Sequence, residues 1–265
     1  MRHYLIFAGT TEGREFIEFL IENTENIEHI EHKKKEVQIT ACTATEYGKI
    51  LLPSAPNLTV ISKRLDYEDM VSLMKNSSFH SVYDATHPYA TLASENILAA
   101  AKQTKLPYFR ILRPEENFED DGTIVHVNSM EEAVSYLSKT TGNILCTTGS
   151  KELAALCKLP DYQTRVYARI LPNPEMVSFS YQLGFQGKHL ICMQGPFSEE
   201  LNTALIHQFH ISYLLTKSSG KPGGFLEKVN SARQTGITLV VIGRPTKESG
   251  YTLEEIKNIM LPTLP

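Results

Sequence analysis

Short runs of Val, Ile, Leu and Tyr recur about every 20–30 residues, and between them apolar residues return at helical spacing. The runs are Tyr4–Ala8, Val37–Cys42, Leu58–Ile61, Val82–Asp84, Tyr108–Ile111 and Ile124–Val127, then Asn143–Thr147, Arg165–Ile170, His189–Met193, Tyr213–Thr216 and Ile237–Ile242. Most are continuous rather than alternating, the pattern of strands covered on both faces of a parallel sheet. Between them, Phe16, Ile17, Leu20 and Ile21 form one helical stripe. Leu92, Ile97, Leu98 and Ala101 form a second, and Leu201, Leu205, Ile206 and Phe209 a third. Strands alternating with helices predict βαβ units and an α/β fold. Eleven strands are too many for one ordinary sheet, so the pattern predicts two smaller parallel sheets. A polar exit at Leu112-Arg113-Pro114-Glu115-Glu116 and a fresh start at Thr140-Thr141-Gly142-Asn143 bracket the boundary. The expected division is an N-terminal domain of residues 1–135 and a C-terminal domain of residues 136–265. The charged segment Asn23–Glu36 reads as a helix end and exposed loop, with His29 and His32 on a solvated face.

Composition narrows the class. With 42% hydrophobic and 21% charged residues in 265, the chain is an ordinary soluble globular protein. No apolar run approaches the length of a membrane helix, and the N-terminal run is too short for a signal-peptide core. The expectation is a cytoplasmic protein with no membrane partner. The four cysteines, Cys42, Cys146, Cys157 and Cys192, form no C-x-x-C pair. They read as buried free thiols in a reducing compartment, and no metal site is expected. The net charge of −4 disfavours a nucleic-acid partner. The charge is uneven: residues 141–265 carry 12 basic against 9 acidic residues, and residues 1–140 carry 14 against 21. A basic second half suits an anionic small molecule.

Candidate chemistry gathers where strands end. Phe7-Ala8-Gly9-Thr10-Thr11-Glu12-Gly13-Arg14 joins a strand to a helix. Gly9 allows close backbone approach, and the free N–H groups of the new helix favour a phosphate. The spacing is not the dinucleotide fingerprint G-x-G-x-x-G, and a plain helix cap explains the same residues. Asp84-Ala85-Thr86-His87-Pro88-Tyr89-Ala90-Thr91 follows another strand, on the same sheet edge. There His87 is a candidate proton or hydrogen-bond donor, while Asp84 and Thr91 are candidates to satisfy backbone N–H groups. Thr216-Lys217-Ser218-Ser219-Gly220-Lys221-Pro222-Gly223-Gly224 brings hydroxyls, glycines and two lysines to a third strand end, which suits a carboxylate or phosphate. Thr147-Thr148-Gly149-Ser150-Lys151 and Gln194-Gly195-Pro196-Phe197 share that placement. Arg110, Arg113 and Arg169 stand at strand ends, where each either clamps a carboxylate or solvates the strand end.

Together these motifs resemble the precorrin-6A and cobalt-precorrin-6A reductase family of corrin biosynthesis. The similarity rests on F-A-G-T-T-E-G-R-E, D-A-T-H-P-Y-A, R-I-L-R-P, T-T-G-S-K-E-L, M-Q-G-P-F and T-K-S-S-G-K-P-G-G-F-L-E-K, six blocks in the family's order. The resemblance implies an NADPH- or NADH-dependent reduction of an anionic tetrapyrrole-derived macrocycle rich in carboxylates. It also implies two Rossmann-like parallel-sheet domains with the active site in the interdomain cleft, transient contact with neighbouring pathway enzymes, and members with strands exchanged between domains. It implies that Gly9, Thr10, Thr11, Glu12 and Thr86 hold the cofactor, and that His87 and Tyr89 donate or orient a proton. Arg113, Lys217, Ser218, Ser219 and Gly220 would hold the substrate. One departure is Ala8 where relatives place a first glycine. Thr45-Glu46-Tyr47-Gly48 leans towards the cobalt form. The lack of a clear basic residue at that strand end leans towards NADH, though Lys49 and Lys63 stand within reach. Two other classes fit the bare pattern: a nucleotide-binding regulator without redox chemistry, and a tetrapyrrole methyltransferase-like enzyme.

Overall fold

The computed structural model describes residues 2–25, 37–114, 122–220, 223–244 and 249–264. His29, His32, Glu115, Glu116, Lys221 and Pro222 lie outside the described residues. Each of the eleven apolar runs is a strand, with ends within two residues of those expected. The strands form two all-parallel sheets, and the chain divides into two units.

Unit 1 comprises Met1–Pro114 and Thr246–Pro265. Its strands are β1 (Arg2–Ala8), β2 (Val37–Thr43), β3 (Leu58–Ser62), β4 (Ser81–Ala85) and β5 (Tyr108–Arg110), in the order β3-β2-β1-β4-β5. Its helices are α1 (Thr11–Glu25), α2 (Glu46–Ile50), α3 (Tyr67–Asn76), α4 (Thr91–Thr104) and, from the end of the chain, α11 (Leu253–Met260). The continuous apolar reading of β1 has a direct cause. Tyr4, Ile6 and Ala8 pack under α1, while Leu5 and Phe7 pack on the other face with α3 and α4. Phe16, Ile17 and Leu20 of α1 are fully buried, each contributing about 1.5–3 kcal/mol. The second stripe is only partly inward: Ile97 and Ala101 are buried, but Leu92 is 69% exposed. Thr91 opens α4 without capping it, because the preceding residue Ala90 holds the cap position.

Unit 2 comprises Glu115–Pro245. Its strands are β6 (Ile124–Val127), β7 (Asn143–Cys146), β8 (Val166–Ile170), β9 (Leu190–Cys192), β10 (Ile211–Lys217) and β11 (Thr238–Ile242), in the order β6-β11-β10-β7-β8-β9. The helices are α5 (Met130–Leu137), α6 (Leu153–Leu156), α7 (Tyr162–Arg165), α8 (Pro174–Gln182), α9 (Glu199–Gln208) and α10 (Phe225–Thr235). One face of the sheet packs Ile144, Cys146 and Val166 against Leu137, Leu153 and Leu156. The other packs Leu145, Tyr167 and Leu214 against Ile206, Phe225 and Val229.

The division differs from one at 135/136 in two respects. β6 pairs with β11 in the second sheet, so β6 and α5 belong to unit 2. The chain end belongs to unit 1: Ile111 bridges Tyr251, and Leu253, Ile256 and Met260 of α11 join the core around Tyr83 and Phe16. An apolar stripe states that a helix must be covered, not which core covers it. The cysteines are free, but only Cys42 and Cys146 are buried; Cys157 is half-buried and Cys192 exposed. Among the described residues no helix is long and apolar enough to cross a membrane.

Candidate active site

In a parallel sheet ordered β3-β2-β1-β4-β5, the strand order reverses between β1 and β4. In open parallel sheets ligands bind at such a reversal, beyond the strand C-termini. The two turns that meet at this point are the glycine–threonine turn after β1 and the histidine–proline turn after β4. They share one acceptor. Gly9 N–H and the Thr10 hydroxyl both donate to Ala85 O, at 3.2 and 2.9 Å. Thr10 Oγ1 also accepts from Gly13 N–H at 3.3 Å, which makes Thr10 the cap of α1. A Cβ on Gly9 would lie 3.3 Å from Thr86 Cα, and one on Gly13 would lie 2.9 Å from Ala85 Cβ. The two glycines therefore let the turns and the helix approach.

Beneath the second turn lies a buried polar network. Asp84 is wholly buried and aligned with Arg110 across the β4–β5 register. Its Oδ1 accepts from Thr86 N–H at 2.9 Å and from Arg110 Nη1 at 3.0 Å, and its Oδ2 accepts from the Tyr108 hydroxyl at 2.9 Å. Arg110 Nη1 also reaches Thr86 O at 3.0 Å. The Thr86 hydroxyl bonds Ser94 at 2.8 Å. Above this base His87 Nδ1 accepts from Tyr89 N–H at 3.3 Å, and the two rings lie 5.6 Å apart. An accepting Nδ1 is unprotonated, so the neutral ring carries its proton on Nε2.

Glu12 and Arg113 meet each other in the same unit. Arg113 Nε reaches both Glu12 oxygens at 3.1 Å, and Nη2 reaches Oε2 at 3.0 Å. Both residues are buried. Burial alone pushes the Glu12 carboxyl up. The Arg113 guanidinium, the backbone N–H and Thr10 outweigh burial and hold it below the ordinary carboxylate value.

Unit 2 repeats the device. Its sheet reverses between β7 and β10, and there Thr147 N–H and its hydroxyl both donate to Leu215 O, at 2.9 and 3.0 Å. Lys217, at the end of β10, pairs with Glu152. Ser218 N–H donates to Ile242 O at 3.0 Å, and Gly220 turns the chain with φ of 69°. Arg169 near the end of β8 is buried, its Nη1 donating to Asn202 Oδ1 at 2.8 Å.

Comparison with known proteins decides the family. Residues 3–260 match the model of the precorrin-6x reductase family CbiJ/CobK. The chain belongs to this family. It is 33% identical to the cobalt-precorrin-6A reductase of Priestia megaterium, covering 97% of each chain. It is 34% identical to that of Salmonella typhimurium, covering 79% of this chain and 80% of that one. The fold is that of the solved CobK precorrin-6A reductase, with a TM-score of 0.74, 20% identity, and coverage of 99% of this chain and 97% of that one. The protein is thus an oxidoreductase of corrin biosynthesis acting on a CH–CH bond, not a regulator or a methyltransferase.

Within unit 1 of this reductase, Gly9, Thr10, Thr11 and Glu12 stand beside Thr86, His87 and Tyr89 at one reversal. In unit 2, Lys217, Ser218, Ser219 and Gly220 stand at the other. Arg113 is in unit 1, on Glu12. Sequence reasoning missed the Asp84–Arg110–Tyr108 base, the Glu12–Arg113 and Lys217–Glu152 pairs, and the role of Gly13. The available signal was a second small residue, Gly13, at the place where a helix must lie close to its strand.

Proposed function

We propose that this chain reduces cobalt-precorrin-6A with NADH held across the reversal between β1 and β4. The observation that carries the reading is the shared acceptor Ala85 O, which fastens the glycine–threonine turn to the histidine–proline turn. The residues fit the pyrophosphate of such a cofactor. Gly9 presents bare backbone, and α1 opens with the amides of Thr11 and Glu12. Arg113 neutralises the Glu12 carboxylate, so the first turn does not repel an anion. Arg113 is accordingly a positioning residue in this reading rather than a substrate clamp. Thr86, fixed from below by Asp84 and Arg110, completes the wall. When bound, a reduced nicotinamide supplies the hydride. His87 accepts from Tyr89 N–H through Nδ1, which fixes the ring and suits it to orient a polar group of the substrate. The Tyr89 hydroxyl is the second donor. In unit 2, Ser218, Ser219 and Gly220 offer hydroxyl and amide donors to carboxylates, with Lys217 balanced by Glu152.

NADH is favoured over NADPH by the surroundings of β2. Lys49 and Lys63, which follow β2 and β3, are each paired, Lys49 with Glu46 at 3.8 Å and Lys63 with Asp69 at 3.0 Å. Glu46 opens α2 just beyond β2, where an acid suits a free ribose hydroxyl. The cobalt form is supported by the relatives at 33 and 34% identity, both named for it. The test is anaerobic mixing of the protein with NADH or NADPH and with cobalt-precorrin-6A or precorrin-6A, followed at the nicotinamide absorbance. NADH is expected to be consumed fastest with the cobalt substrate. No consumption in any combination overturns the reading.

A further inference from the structure

Three arginines are buried at or just beyond strand ends, and two have their counter-ion in the fold. Arg110 pairs with Asp84 and Arg113 with Glu12, each at 3.0 Å. Arg169 is equally buried, at 5% exposure, and no carboxylate among the described residues pairs with it. A guanidinium has five N–H donors. Among the described residues, the one side-chain hydrogen bond that Arg169 makes is to Asn202 Oδ1, at 2.8 Å. The Phe197 ring covers one face of the guanidinium, 3.7 Å from its centre. Asn202 is itself wholly buried, and its Nδ2 donates to Ser198 O at 2.9 Å, which turns its oxygen towards the arginine. The acids beside Asn202 in the sequence are engaged elsewhere. Glu199 and Glu200 line a separate depression with Thr203, His207 and Gln234. Burial draws the Arg169 guanidinium down to about 10, and no fixed carboxylate offsets it.

A buried cation without a partner is costly, and a fold that keeps one needs an anion from outside to complete it. Stacking on one face and a hydrogen bond at one nitrogen fix the plane of the fork without using its other donors. That is the requirement for bidentate capture of a carboxylate. We propose that Arg169 binds a side-chain carboxylate of the macrocyclic substrate, with Phe197 and Asn202 as its positioning residues. This assignment rests on the reading of the substrate as a polycarboxylate macrocycle. It adds a subsite within unit 2, apart from the loop Lys217–Gly220.

The test has two arms. In steady-state turnover of cobalt-precorrin-6A, Arg169→Met is expected to raise the macrocycle KM by about 10- to 100-fold, the worth of a charge-assisted fork, with the KM for NADH unchanged. Arg169→Lys keeps the charge, loses the fork, and is expected to fall between. In the second arm uroporphyrin III, an octacarboxylate, is titrated against the Soret band, and its affinity is expected to fall at least tenfold in Arg169→Met. Circular dichroism and melting without ligand serve as the fold control. Should Arg169→Met fail to fold, Arg169→Lys decides: a raised Kd at unchanged melting supports the subsite, and a wild-type Kd overturns it. Equal uroporphyrin affinity in folded variant and wild type overturns the proposal, as does a wild type that binds none. A wild type without turnover whose uroporphyrin affinity still depends on Arg169 sinks the reductase reading and leaves the subsite standing.

Discussion

If α1 opens on the cofactor phosphate as proposed, a carboxylate in its first turn is a contradiction unless it is neutralised, and Arg113 resolves it for Glu12. Removing one partner of a buried pair leaves the other uncompensated. Glu12→Gln is therefore expected to lose about 3–5 kcal/mol at neutral pH, read from denaturant midpoints. The sign with pH follows from the depressed carboxyl. Its stabilisation is full above the ordinary carboxylate range and is lost as pH falls through the lower folded value, so wild type and Glu12→Gln should converge on acidification. Gly9 is argued from space: a valine there drives a branched side chain into Thr86 and His87. Gly9→Val should raise the KM for NADH about tenfold or more through the displaced turn. An unchanged KM would move the cofactor elsewhere. His87 is argued from its tautomer. Glutamine retains a donor where Nε2–H stands, so His87→Gln should keep more of kcat than His87→Ala. Equal loss in both would instead mark His87 as the acid that gives up a proton.

The elements were legible because strands buried on both faces have no polar alternation to hide in. β1 reads as one apolar run since α1 covers Tyr4, Ile6 and Ala8, while α3 and α4 cover Leu5 and Phe7. The chemistry at strand ends was legible for the same reason, because each motif follows such a run. The partners were not. Glu12 meets Arg113 across 101 residues, and Asp84 meets Arg110 across 26 through the β4–β5 register; only the folded unit creates those neighbours. The membership of α11 was hidden in the same way. Its stripe of Leu253, Ile256 and Met260 fits either core by pattern and joins the one around Tyr83. Ile256→Ala is thus expected to destabilise unit 1 by about 2–5 kcal/mol, although the residue lies in the last tenth of the chain. Loss of exchange protection confined to β7–β9 would refute that placement.

At the scale of the whole chain, two sheets carry two separate sets of cores, and the sequence passes between the units near Pro114 and again near Pro245. A ligand stabilises what must be folded to bind it. At 100 times its Kd the gain is about 2.7 kcal/mol, and it accrues to whichever cooperative unit contains the site. The shared acceptor Ala85 O lies wholly within unit 1, between β1 and β4. Saturating NADH should therefore slow amide exchange in β1, the start of α1 and β4, and leave β7, β8 and β9 at their ligand-free rates. The same measurement with the macrocycle alone should slow exchange around Arg169 in β8 and at the start of α9. Protection that rises equally in both sheets with NADH alone would show that the units open together, and the separation of cofactor and carboxylate binding into two halves would then fail.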